Sequence, residues 1–493
     1  MPSLKSTGIP ILKIKRQETG KIRDLKKIVA RIEGLPTCLN GELLDLGDGV
    51  RGIVMGFDER FVLALVLGDE NKLRMGKEVT GVSEPFKIPV GNDFIGRMVT
   101  ALAEPCDGRG PIVADSQLPV FRPAASILDR ALIKEFLCTG TKVVDAIVPI
   151  GRGQRQLIVG DRLTGKSVIA MDAILNQSDT NTVCIYCSIG KPYSALEKAA
   201  TIMKDQGALD YTVIMAAFDS SPAGEQYLLP FCAASMGDYF ISKGRDVLMV
   251  MDDLTKHAWA YRQLSLLLER PPGREAYPGD IFYVHTQLME RAGQFSSDLG
   301  GASMTFLALA ETLDGDLTGY IPSNLISMCD GVVFLDGTIF SEGMRPAVDF
   351  GQSFSITGGK TQPSIIRKLS SGMRAKFVAY TEITQASRLQ GSMSEEAEQI
   401  VKRGDAMMTV LQQDQYHPSS VMDLSLVLYA LKAGMLDDSS KSEIVEFREN
   451  IAAFASGKDP SLVEDIEQHH ELTQTVETRL STVVSEYFAA RVA

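Results

Sequence analysis

The chain has 493 residues, 45% of them hydrophobic and 23% charged, with a formal net charge of −12. That length exceeds what one hydrophobic core organises, so two or three domains are expected, and the acidic balance excludes a general nucleic-acid binder, which needs a concentrated basic surface. No apolar run approaches the roughly 20 residues of a membrane-spanning helix, so any membrane role is expected to be peripheral.

In chain order, residues 1–24 read as a tail. Lys5, Lys13, Lys15 and Arg16 are mixed with Gly8 and Pro10, without the apolar block and cleavage site of a secretory signal. The protein is therefore expected to stay in the compartment where it is made. Residues 25–84 hold short alternating runs divided by glycines, such as 28–32, 52–55 and 61–67, the pattern of a small β-barrel domain. A stretch bearing Pro and Gly, 84–96, marks a boundary. Across residues 85–361 apolar runs at 156–159, 182–189, 211–217 and 246–251 alternate with helix-compatible segments. That alternation predicts a central α/β P-loop (RecA-like) nucleotide-binding domain whose parallel sheet places its ligand crevice at the carboxyl ends of the strands. Residues 362–493 lose the strand signal, and 394–411 and 461–490 have helical spacing, so the sequence ends in an α-helical domain.

The residues expected to carry chemistry are Gly160, Asp161, Arg162, Leu163, Thr164, Gly165, Lys166 and Ser167, which fit G-x-x-x-x-G-K-[ST] between an apolar strand and the helical run 168–176. Glycines let backbone N–H groups approach phosphates, the helix presents its positive end, Lys166 supplies a point charge, and the Ser167 hydroxyl can ligate Mg²⁺. The apolar run 247–251 ends in Asp252 and Asp253, and Asp252 is the candidate to hold Mg²⁺ through water. Hydrolysis would also need a group that orients water. After 182–189 the chain reads Gly190-Lys191-Pro192-Tyr193, with no acid at the strand tip, and Glu197 lies too far along. Lys191 would attract phosphate but cannot act as a base near neutral pH.

Other polar residues have plainer readings. Cys184 and Cys187 form a C-x-x-C inside an apolar run with no second pair, which favours strand packing over metal. His257 reads as a packed side chain, Ser327 as a turn residue, and Tyr193 as a surface aromatic.

Residues 140–155, the phosphate loop and residues 261–280, above all Arg270-Pro271-Pro272-Gly273-Arg274-Glu275, resemble the α subunit of F-type ATP synthases. The likeness runs from about Gln17 to the C-terminal helices, and the catalytic β subunit, flagellar export ATPases and Rho helicases differ at the Arg-Pro-Pro-Gly-Arg-Glu segment. The resemblance implies a barrel crown, a nucleotide domain and a helical base. Such a subunit alternates with β-type catalytic subunits in a hetero-hexamer around a central-stalk γ subunit, with a peripheral-stalk δ subunit above. It implies ATP or ADP with Mg²⁺ held without turnover, within a complex coupling ATP synthesis or hydrolysis to proton transport at the cytoplasmic face of a bacterial-type inner membrane or an equivalent organelle membrane.

Carried over, residues 160–167 and Val168 fall on the phosphate loop, Ser167 and Asp252 on Mg²⁺, Arg345 beside the nucleotide, and Gln413 and Gln415 at the adenine end. For Arg345 a structural ion pair, and for the glutamines a solvent-exposed helix end, stand as alternatives.

Several positions depart from that pattern. The family's arginine finger lies eleven residues beyond the position of Arg345, where this chain has Ile356, and Lys360 is the nearest cation. Leu163 replaces a glutamine, Ser167 a threonine, and Lys191 the amide that α subunits have in place of a catalytic glutamate. The tail also looks too short for the helix that docks the peripheral stalk. Two other functions therefore remain open: a pseudo-subunit of an ATPase-like assembly without proton coupling, and a self-sufficient hexameric export or helicase-type ATPase, which would turn over alone and carry an acid near the γ-phosphate.

Overall fold

The computed structural model describes residues 18–390 and 394–492, so residues 1–17 of the expected tail, with Gly8 and Pro10, lie outside the described residues. Six antiparallel strands close into a barrel between Thr19–Lys26 and Glu78–Pro85. Its interior is a separate core that includes Ile22, Ile32, Leu44, Leu46 and Val79. The first strand, Thr19–Lys26, starts ahead of the boundary expected at residue 25, because only Gly20 and Ile22 are buried along it and it carries almost no apolar alternation.

The alternate face of the barrel strands, with Val29, Ile53 and Leu65, joins the core of the central domain. Charges fix the same junction. Glu269 pairs with Lys26 and, at 2.5 Å, with Arg31, while Arg270 donates to the Met55 carbonyl at 2.7 Å. The start of the Arg-Pro-Pro-Gly-Arg-Glu segment therefore holds the barrel to the central domain.

That central domain is built on a nine-stranded sheet. Its main path runs Phe354–Ser355, Gly331–Leu335, Arg155–Gly160, Ser303–Glu311, Asp246–Asp252, Thr182–Lys191, Thr212–Phe218 and Met98–Thr100. From Gly331–Leu335 to Met98–Thr100 the pairing is parallel, and the edge strand Phe354–Ser355 is antiparallel. Both faces are covered, which explains why these strands read as unbroken apolar runs. One face is packed by Ala223–Ser242, a helix buried along nearly all its length between sheet and barrel.

Seven helices from Ser364–Leu369 to Gln474–Val492 make up the C-terminal domain among the described residues. Ser394, Ser420 and Ser440 each cap a helix by accepting a backbone N–H, and Ser440 and Glu443 form a reciprocal capping box. Leu411, Leu426 and Phe447 belong to the core that covers the other face of the sheet, so the helical base is continuous with the nucleotide domain. Among the described residues, no helix is long and apolar enough to cross a membrane.

Candidate nucleotide site

The parallel strands bring their carboxyl ends to one edge, and the residues expected to act together meet there. Strand Arg155–Gly160 passes into the loop and then into helix Lys166–Leu175, for which left-handed Gly165 is the N-cap. Asp161 does not face a ligand. Its Oδ1 accepts from Thr312 Oγ1 at 2.7 Å and Gly315 N at 2.9 Å, which ties the loop to the segment after the central strand. Thr164 Oγ1 donates to the Asp161 carbonyl at 2.8 Å. Arg162 and Leu163 form the exposed crest, with Arg162 Nε 3.9 Å from a carboxylate oxygen of Glu311. Val168 is half-buried in the first turn of the helix.

Lys166 Nζ donates to the carbonyls of Gly160 and Asp161 at 2.9 and 2.7 Å, and burial lowers its pKa. Asp252 ends the strand Asp246–Asp252, two places along the sheet from the phosphate-loop strand. Its Oδ2 accepts from the Tyr186 hydroxyl at 2.8 Å, and the Tyr186 pKa is raised by burial and then by that carboxylate. Asp253 caps helix Leu254–Leu267 by accepting from Lys256 N at 2.8 Å, and burial, followed by the charge of Asp252, pushes its carboxyl up to about 7.

The expectation of Mg²⁺ at Ser167, and through water at Asp252, meets a competing cation. The two residues do converge, but the ammonium of Lys191 lies between them, donating to Ser167 Oγ at 3.0 Å and to Asp252 Oδ2. A magnesium ion needs near-octahedral oxygens at about 2.0–2.1 Å. Here Ser167 Oγ and Asp252 Oδ2, the two oxygens that converge, already bond a cation carried by the protein itself, so these atoms as placed do not fit that ion.

The cleft beside helix Lys166–Leu175 is lined by Gly165, Val168, Asp172, Phe340, Arg345, Gln413 and Gln415. Arg345 places its guanidinium over the Phe340 ring, 4.8 Å from the centroid. Gln415 is exposed at the mouth of the cleft. Gln413 is tied into the fold at both ends of its amide. It donates to the carbonyls of Gly140 and His417, each at 2.7 Å, and accepts from Lys142 N at 2.9 Å. Both amide hydrogens are engaged within the fold, and Gln413 forms part of the cleft wall.

Two residues at this edge escaped the sequence reading. Glu311 ends strand Ser303–Glu311 next to the phosphate loop, and the signal was present: an apolar run ending in an acid, as for Asp252. Asp172 lies one helical turn beyond Val168 and accepts from Tyr416 N at 2.9 Å. Helical spacing from the loop was the available clue.

Burial raises the Asp172 pKa from 3.8 to about 7. Between those values the folded protein keeps a proton that the unfolded state has released, so stability falls as pH rises through that window. Asp172→Asn preserves an acceptor for Tyr416 and is expected to flatten the dependence. Its denaturation midpoint should rise relative to the natural protein between about pH 4 and 7, by an increment bounded near 4 kcal/mol at ~1.36 per unit. Parallel pH profiles of the two proteins would sink this assignment.

The remaining candidates are structural. Cys184 and Cys187 belong to the cores on opposite faces of the sheet, so three-residue spacing on a strand cannot aim both at one metal. His257 is fully buried, 3.1 Å from the Tyr227 carbonyl and 3.3 Å from His285, with its pKa lowered by burial to about 4. Ser327 Oγ donates to the Asn324 carbonyl at 2.6 Å, and Tyr193 rests against Phe218. Glu197 lies exposed on helix Tyr193–Asp205.

Comparison with known proteins agrees with this layout. Residues 15–82 match the beta-barrel domain of the ATP synthase alpha/beta family, residues 140–355 match its nucleotide-binding domain, and residues 362–487 match its C-terminal domain. The protein belongs to the ATP synthase alpha/beta family. Among its relatives is the ATP synthase subunit alpha of Clostridium botulinum, 39% identical over 470 residues, covering 95% of this protein and 93% of the relative. Those of Clostridium acetobutylicum and Dehalococcoides mccartyi are also 39% identical, covering 96% and 98% of this protein and 94% and 96% of theirs. This member of the alpha/beta family thus has all three domains, and its phosphate loop stands at the sheet edge just described.

Proposed function

We propose that this protein is the nucleotide-holding, non-catalytic α-type subunit of an F-type ATP synthase, alternating with β-type subunits around a γ subunit and peripheral to the membrane through the complex. The observation that carries the reading is the composition of the sheet edge. A phosphate loop with Lys166 at the head of its helix is joined by Lys191 at the tip of strand Thr182–Lys191, where a hydrolytic site needs a water-orienting group. Phosphate attraction is well supplied, and the tip of that strand carries a cation in place of an acid. The full-length likeness to proteins named ATP synthase subunit alpha supports the assembly part of the proposal.

The test is ATP binding and turnover by the purified full-length protein. Binding without turnover is expected. Lys166→Ala should weaken binding by roughly tenfold to a hundredfold, the equivalent of a charged hydrogen bond worth about 1.5–3 kcal/mol. A well-folded protein indifferent to saturating nucleotide would sink the proposal, and brisk turnover by the protein alone would favour a self-sufficient ATPase.

A further inference from the structure

We infer that Lys191 is a built-in cation standing where Mg²⁺ would lie, so that this site takes a metal-free nucleoside di- or triphosphate. The inference rests on the reading of residues 160–167 as a phosphate loop. Its independent support is the geometry that places and holds the lysine.

Strand Thr182–Lys191 pairs in parallel with Thr212–Phe218, and the register slips between Ile189 and Lys191, leaving Gly190 as the extra residue of a bulge. Gly190 has φ +61°, and a Cβ there would come within 2.9 Å of Gln226 Oε1, so only glycine makes this bend without displacing a neighbour. A bulge redirects the side chain that follows it. Here the redirected side chain is Lys191, whose Nζ reaches Ser167 Oγ and Asp252 Oδ2. Lys256 Nζ donates to the Gly190 carbonyl at 2.9 Å, and its own helix is capped by Asp253, so the bulge is fastened to the segment that follows Asp252.

Electrostatics then decide between the two cations. The Asp252 side chain is 3% exposed and that of Lys191 18%, so their attraction acts largely out of water. A divalent ion entering between Ser167 and Asp252 would meet the ammonium at contact distance and would have to expel it, leaving Lys191 without these two acceptors. A nucleotide arriving without metal meets no such conflict. Its β- and γ-phosphate oxygens, cradled by the loop, face Lys166 on one side and Lys191 on the other. Because phosphoryl transfer relies on the metal to bridge β and γ oxygens, a metal-free nucleotide is also one that stays intact.

The experiment is calorimetric titration of the full-length natural protein and of Lys191→Gln with ATP, in excess EDTA and in excess MgCl₂. The natural protein is expected to bind in EDTA at least as tightly as in MgCl₂. Lys191→Gln should lose about tenfold or more on removal of the metal, since nothing then replaces the lost charge. As a measurement independent of any variant, the natural protein is loaded with MgATP and desalted, and its metal is assayed against its nucleotide. A ratio well below about one is expected. Binding by the natural protein that weakens tenfold or more in EDTA, a metal-to-nucleotide ratio of about one, or a variant as metal-indifferent as the natural protein each overturns the inference while leaving the nucleotide site standing. Binding under neither condition overturns both.

Discussion

Ile356→Arg, introduced into the protein and co-expressed with its β-type partner, is expected to raise the ATPase rate of the complex by about 10³ to 10⁵-fold, the range an arginine finger supplies. That corresponds to roughly 4–7 kcal/mol of transition-state stabilisation at ~1.36 per decade. Ile356 lies directly after the edge strand Phe354–Ser355, separated from this subunit's phosphate-loop strand by Gly331–Leu335. Its side chain is 70% exposed and its backbone N–H donates to the Asp330 carbonyl at 2.9 Å. The position can therefore present an arginine to a neighbouring subunit with no change to the core, and the substitution should leave the protein's own stability within about 0.5 kcal/mol. Lys360, also exposed, lacks the planar fork that makes arginine effective against a phosphoryl transition state. A natural complex that is already fast, and no faster with the arginine, would sink the idea that position 356 limits the rate.

What the sequence disclosed and what it withheld divide along a physical line. Strand periodicity and loop motifs are local, so the barrel, the parallel sheet and the phosphate loop could be read from residues a few places apart. The convergence of Ser167 and Asp252 was also readable, because parallel strands bring successive carboxyl ends to one edge. Lys191 was visible as a basic residue at a strand tip. Its place between those two oxygens depends on a single-residue bulge at Gly190, however, and one glycine after an apolar run does not announce a bulge. The bonds of Gln413 were hidden for a related reason. A glutamine in a polar segment looks available to a ligand, and only the fold shows residues 140, 142 and 417 engaging its amide. The first barrel strand escaped because its inward face holds a glycine and one isoleucine.

The segment carrying Ile356 is pinned by a contact that a single methyl group would break, and this sets the second large effect. A Cβ on Gly358 would stand 1.6 Å from the Pro149 carbonyl oxygen and 2.7 Å from Ser355 Oγ. Neither atom can yield easily. Pro149 O accepts from Ser355 Oγ at 2.7 Å, the same hydroxyl accepts from Gly358 N at 3.1 Å, and the next turn is tied down by Gln362 Nε2 donating to the Asp145 carbonyl at 2.8 Å. Gly358→Ala should therefore push the 354–362 segment off the sheet edge, at a cost of about 3 kcal/mol or more, at the upper end of overpacking effects. Gly359→Ala is the matched control: nothing lies within 4 Å of its Cβ position, and the denaturation midpoint should hardly move. Added to Ile356→Arg, Gly358→Ala should abolish most of the gain in rate, because an arginine displaced by even an ångström loses its hold on the transition state, whereas Gly359→Ala should leave the gain intact. Equal melting and equal rates for the two double variants would show that the Pro149 contact does not aim residue 356.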